Sequence, residues 1–313
     1  MSPLQVVCAI FVPLLWGCQF VVIKIAVADF PPLFLLALRF TVIAAVLLPF
    51  VGLPRKQELK PVLWISLFMG GLNFSFAFIG LAHGAASVAG VAMQLTTPFA
   101  VLLAWPMLGE KLSWRVSTGI TIAFVGVMLT AAGPGPVAIL PVLLITGSAL
   151  SLAIGSILVK RSGPFEPMKL LGWMSVLTVP QVLLMSVLFE GGQLASLHTA
   201  TVSGWMALLY TIALGGIAGF GIWFWLIARC SIARVAPYAL LQTVFAVASG
   251  VLFLDEALTA TLVVGMLACI VGVAMTQRPA RASVAVGAKS TPDYSPPRPA
   301  FAADPNQCRG DNP

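Results

Sequence analysis

Ten apolar stretches, each near the ~20 residues that cross a bilayer as a helix, follow one another from residue 4 to residue 277. They run over about 4–28, 33–53, 61–83, 86–108, 115–132, 137–160, 168–189, 203–228, 234–254 and 259–277, divided by Gly/Pro clusters and charges. No water-facing surface could be assembled from this chain, because it is 59% hydrophobic and only 9% charged, against roughly 25% charged for a soluble domain. The fold class predicted is therefore an all-α integral membrane protein of ten transmembrane helices.

The basic residues test that count independently. Fifteen of the seventeen Lys and Arg fall at the amino-terminal side of the odd spans, in alternate connections, or after the last span: Arg55, Lys56 and Lys60, Lys111 and Arg115, Lys160, Arg161 and Lys169, Arg229 and Arg234, and five beyond residue 277. Only Lys24 and Arg39 belong to the other side. Basic loops stay in the cytoplasm, so both termini are expected there.

The second half repeats the first. Residues 95–130 align without a gap on 241–276, an offset of 146, with thirteen of 36 pairs identical, among them Glu110/Glu256, Gly119/Gly265 and Gly126/Gly272. With ten spans each copy holds five, and an odd number forces the second copy upside down in the membrane. The division expected is residues 1–136 and 137–277 as inverted five-span repeats. Residues 278–313, with seven prolines and few large apolar side chains, are expected to be a disordered cytoplasmic tail.

Other signals exclude more than they suggest. The net charge of +7 is distributed as topology signals beside anionic lipid, so the partners expected are a lipid bilayer and a small-molecule substrate, and nucleic acid is not. Cys8, Cys18, Cys230, Cys269 and Cys308 form no CxxC and no Cys/His cluster, so neither a disulfide framework nor a metal is expected. No HExxH, GxSxG or Walker sequence occurs, which argues against an enzyme, and no cofactor is expected.

A charge within a span is costly and commonly functional. Lys24 and Arg39 either snorkel to the headgroups or pair with Asp29, or else form a positive wall that attracts a carboxylate or phosphate and repels cations. Trp16, Gln19, Phe20 and Lys24 fall within about 140° of one helix face, which either lines a cavity or packs on a neighbouring helix. Asn73, Gln94, Tyr238 and Gln242 are further polar side chains inside spans, available for interhelical hydrogen bonds or for a substrate. The candidate substrate-binding set is Trp16, Gln19, Lys24, Arg39, Asn73, Gln94, Tyr238 and Gln242. The glycine-rich run Gly215 to Gly221 lies within a span and is expected to serve close helix packing. Pro98 and the segment around Tyr238 are where kinks are expected to free backbone carbonyls.

WGCQFVVIK (Trp16 to Lys24), LRF (Leu38 to Phe40), LGEKL (Leu108 to Leu112) and LDEAL (Leu254 to Leu258), the last two followed by GITIAFVGV and GMLACIVGV, resemble the drug/metabolite transporter superfamily. The likeness covers residues 4 to 277 and is to its ten-span EamA-type exporters; Trp16 to Phe40 and RVAPYALL (Arg234 to Leu241) are similar to the O-acetylserine/cysteine exporter group. The resemblance implies a central cavity in a bacterial inner membrane, export of small metabolites by alternating access, and structural helix-end roles for Glu110 and Glu256. The function expected is export of amino acids or related small zwitterionic or anionic metabolites. The alternatives are a drug or amine exporter, a nucleotide-sugar or phosphate-ester antiporter, and a membrane enzyme or scaffold.

Overall fold

The computed structural model describes residues 1–108, 113–132, 139–163, 165–230 and 232–277. Glu110, Lys111 and the expected tail lie outside them. Ten helical spans, all within one compact unit from Met1 to Arg278, are long and apolar enough to cross a membrane. They are span 1 (Pro3–Asp29), span 2 (Pro32–Phe50), span 3 (Lys56–His83), span 4 (Ala86–Met107), span 5 (Trp114–Ala131), span 6 (Ile139–Arg161), span 7 (Pro167–Phe189), span 8 (Val202–Arg229), span 9 (Pro237–Leu254) and span 10 (Ala260–Gln277).

Local chemistry sets where they begin. Ser2 accepts from the Gln5 N–H while Gln5 reaches back to the Ser2 N–H, a capping box ahead of Pro3 at the first helical position. Span 3 starts five residues earlier than hydropathy alone indicates. Glu58 accepts from the Arg55 N–H at 2.7 Å and pairs with Lys169 at 3.0 Å, which holds a polar first turn in helix. A short helix, Gln193–Thr199, that the apolar pattern does not announce sits between spans 7 and 8.

Four spans are irregular along their length, in matching pairs. Span 4 passes through a 3-10 turn at Met93–Leu95, where Pro98 has no N–H to offer the Gln94 carbonyl. Span 9 breaks at Leu240, between helices Ile232–Ala239 and Leu241–Leu254. Spans 3 and 8 carry π-helical segments at Ser66–Leu72 and Thr211–Ala218. The glycine run of span 8 thus does two things. Gly215 and Gly216 lie in the π-helical turn, and the close packing is also present: a Cβ on Gly215 would collide with the Gln19 amide, and one on Gly219 would lie 2.7 Å from Trp16 Nε1.

The repeats meet most closely at spans 5 and 10. A Cβ on Gly119 would lie 2.7 Å from the Gly272 carbonyl oxygen, and one on Gly126 would lie 2.6 Å from that of Gly265. Gly119 corresponds to Gly265 and Gly126 to Gly272, so each residue touches the equivalent of the other. Sequence order reverses along the contact, so the two helices run antiparallel, related by a pseudo-two-fold axis across them. The bundle is two inverted five-helix repeats.

One end of the bundle is tied by carboxylates bound to helix N-termini. Glu190 accepts from the Leu33 and Phe34 N–H groups at 2.7 and 3.1 Å, fixing span 7 to the start of span 2. Asp29 accepts from the Thr201 N–H at 3.1 Å and from its hydroxyl at the start of span 8. Glu256 accepts from the Ala86 and Ser87 N–H groups at 2.6 and 2.9 Å at the start of span 4. Asp255 aims it there: its left-handed conformation (φ 52°) ends span 9, and the Glu256 N–H turns back to the Gly250 carbonyl at 3.2 Å. This is called the tied end below, and the opposite one, with Lys56, Lys169 and Arg229, the basic end.

Candidate functional site

Between the spans is a cavity of about 280 Å³, near the lower limit of the ~300–1,000 Å³ typical of small-molecule sites. Its walls are mostly apolar, with Trp16, Phe20, Phe74, Phe220 and Phe224 as aromatic surface and Met69, Met93 and Met174 as adaptable filler. Leu81 and Ile23 lie toward the tied end, whereas Pro167 and Leu170, at the first turns of span 7, bring the lining to the basic end. Among the described lining residues, polarity is confined to Gln19, Arg39, Asn73 and Gln242 apart from the Trp16 indole and the Gly215 backbone.

Arg39 is the one formally charged residue among the described lining. It is 1% exposed, and its Nε and Nη1 have no hydrogen-bond partner among the described residues. Its guanidinium carbon stands 4.6 Å from the centre of the Phe74 ring, 5.8 Å from Phe40 and 5.9 Å from Phe78. Cation–π contact offsets part of the lost hydration, but a buried charge with unmade hydrogen bonds costs several kcal/mol. A ligand anion reaching the guanidinium would recover part of that cost.

The neighbouring polar groups divide into engaged and available. Trp16 Nε1 donates to the Gly215 carbonyl at 3.1 Å, bracing the π-helical turn of span 8 against span 1. Asn73 donates to the Met69 carbonyl at 3.1 Å in the equivalent turn of span 3 and accepts from Ser148 at 2.8 Å. Gln19 and Gln242 make no hydrogen bond to a described residue, and both face the cavity.

Of the eight residues expected to bind substrate, the cavity brings together Trp16, Gln19, Arg39, Asn73 and Gln242. The other three stand elsewhere. Lys24 donates to the Gly84 carbonyl at 2.6 Å and pairs with Glu256 at 3.7 Å, so it is neither snorkelling freely nor matched with Asp29. Gln94 donates to the Thr243 hydroxyl, joining spans 4 and 9. Tyr238 packs beside Ala9, Leu226 and Val235. Sequence reasoning missed the π-helical Met69 and Gly215, the span 7 residues Leu171 and Met174, and Phe74, Phe220 and Phe224, all of which look like ordinary membrane residues.

Glu256 accepts from the Ala86 and Ser87 N–H groups and the Ser87 hydroxyl and pairs with Lys24, while Lys24 keeps the Gly84 carbonyl whatever happens to its ion pair. Glu256→Ala is therefore expected to cost about 2 kcal/mol, because two buried N–H groups lose their acceptor. Lys24→Met should cost under about 1 kcal/mol, since the pair is partly solvated. Thermal midpoints of the two purified variants check the order; a larger loss for Lys24→Met would contradict this account of the tied end.

An inverted ten-span bundle around a walled cavity with a buried charge defines a multi-pass membrane transporter. The chain belongs to the EamA-like transporter family, whose model matches residues 4–132 and again 139–278. A "Probable amino-acid metabolite efflux pump" of Escherichia coli (strain K12) is 33% identical over 269 residues, covering 83% of this chain and 90% of that protein. A protein of the same description from Salmonella typhimurium is 31% identical, with 84% and 91% covered. A solved crystal structure superposes with a TM-score of 0.60 at 21% identity, covering 88% of this chain and 99% of its own, which supports the fold alone.

Proposed function

We propose that this transporter exports amino acids or related small zwitterionic or anionic metabolites by alternating access, with the substrate carboxylate held at Arg39. The observation that carries the reading is a buried guanidinium, on a residue that lines a cavity of metabolite size, whose Nε and Nη1 have no hydrogen-bond partner among the described residues. Gln19 and Gln242 complete the polar contacts, and Trp16 and Asn73 brace the π-helical turns beside them. The efflux names of the 33% and 31% identical relatives support the direction and the class. A fixed cation in the cavity disfavours amines and cationic drugs. Reconstitution into proteoliposomes with a panel of radiolabelled amino acids, their derivatives and amines tests it. Saturable transport of carboxylates is expected; transport of amines alone would overturn the reading.

The same reading puts the protein in a bacterial inner membrane with both termini in the cytoplasm, so the tied end faces outward and the lining reaches toward the cytoplasm. It divides the chain into repeats 1–136 and 137–277, supported by the two family matches on either side of residue 136. Reporter fusions after Gly84, Gly192 and Glu256 are expected to report the outer side, and fusions after Lys56, Arg115, Gly163 and Arg229 the cytoplasm. One reversed fusion would break this topology.

A further inference from the structure

The charge balance of the cavity narrows the substrate beyond its carboxylate. Among the described lining residues Arg39 carries the one formal charge, and no Asp or Glu faces it. A bound monocarboxylate makes the occupied cavity neutral. A bound zwitterion leaves it with a net positive charge inside walls that are mostly aromatic and aliphatic.

Position makes this worse for an α-amino acid. Its ammonium is two bonds from the carboxylate carbon, so a carboxylate seated on the guanidinium puts the ammonium on the order of 5 Å from a second cation. The nearest aromatic face is already engaged, because Phe74 is stacked on Arg39 at 4.6 Å. The Gly215 carbonyl already accepts from Trp16 and the Asn73 side-chain oxygen from Ser148, so each has at most one lone pair left to offer.

What the cavity does offer is neutral. The side-chain amides of Gln19 and Gln242, from spans 1 and 9, make no hydrogen bond to a described residue, and each has both a donor and an acceptor. An ammonium can use only their oxygens. An amide group on the substrate can use oxygen and nitrogen alike, accepting through its carbonyl and donating through its N–H.

We infer that the preferred substrate has one carboxylate, an uncharged acylated nitrogen and an apolar side chain: an N-acyl amino acid rather than a free one. The inference rests on the reading of Arg39 as the carboxylate site. N-acetylation removes the ammonium beside Arg39 and supplies the amide that Gln19 and Gln242 can bind.

The test is equilibrium binding to the purified full-length protein at pH 7 of three radiolabelled probes: leucine, N-acetyl-leucine and leucinamide. N-acetyl-leucine is expected to bind at least about tenfold more tightly than leucine, and leucinamide, a cation without a carboxylate, not measurably. Leucine binding as tightly as N-acetyl-leucine, or more tightly, would overturn the inference and leave the carboxylate site standing. Binding of leucinamide alone, or of none of the three, would overturn both.

Discussion

Arg39→Met is expected to leave the purified protein at least as thermally stable as the parent while reducing carboxylate export about a hundredfold. The two directions have one cause. Without substrate, the guanidinium is 1% exposed with Nε and Nη1 unpartnered, and replacing a poorly compensated buried charge with an apolar side chain of similar length is commonly neutral or stabilising. On the proposed role, a bound carboxylate would gain charge-assisted hydrogen bonds from the same group worth about 1.5–3 kcal/mol each, and roughly 2.8 kcal/mol is a hundredfold. Arg39→Lys should fall between, since it keeps the charge but loses the planar fork and much of the stacking on Phe74. Export at matched membrane abundance, with the thermal midpoint in detergent, checks both. A variant that loses stability and activity together would mark Arg39 as a structural residue.

The largest effect on stability is expected at the contact between the repeats. Gly126→Leu would put a branched side chain where even a Cβ lies 2.5 Å from the Cys269 nitrogen and 2.6 Å from the Gly265 oxygen. Both obstacles are helix backbone, so no rotamer change relieves them. Spans 5 and 10 must separate, at a cost above the ~1–3 kcal/mol usual for overpacking, and little folded protein should accumulate. Gly221→Ala is the matched control: nothing lies within 4 Å of its added Cβ, and its effect should stay within about 1 kcal/mol. Fluorescence-detected size exclusion of both variants measures this. A monodisperse peak of parental height for Gly126→Leu would contradict the contact.

These two sites show what the sequence could and could not reveal. The paired glycines stand out in the 146-residue repeat, because small residues at fixed spacing are a local signal. That Gly119 meets the equivalent of Gly126 across an axis is tertiary and follows only once the helices are packed. Arg39 stands out by rarity. Its separation from Lys24 does not, because two cations near one membrane face read alike until Glu256 and the Gly84 carbonyl are seen to hold Lys24.

The π-helical turns were partly legible. SLFMGGL (Ser66 to Leu72) and TIALGGI (Thr211 to Ile217) align at an offset of 145, one residue out of register with the 146 that relates 95–130 to 241–276. An ungapped comparison misses them, although both turns line the cavity through Met69 and Gly215. The aromatic and methionine walls carry no signal of this kind, since Phe and Met serve equally against lipid, neighbouring helix or substrate.

A structure of the full chain with an exported carboxylate bound would decide whether Arg39 is the binding group. A carboxylate oxygen is expected about 2.7–2.9 Å from a guanidinium nitrogen of Arg39, with Gln19 or Gln242 hydrogen-bonded to the rest of the molecule and Lys24 still against Glu256. A substrate bound elsewhere, with the Arg39 guanidinium still lacking a partner, would overturn the assignment.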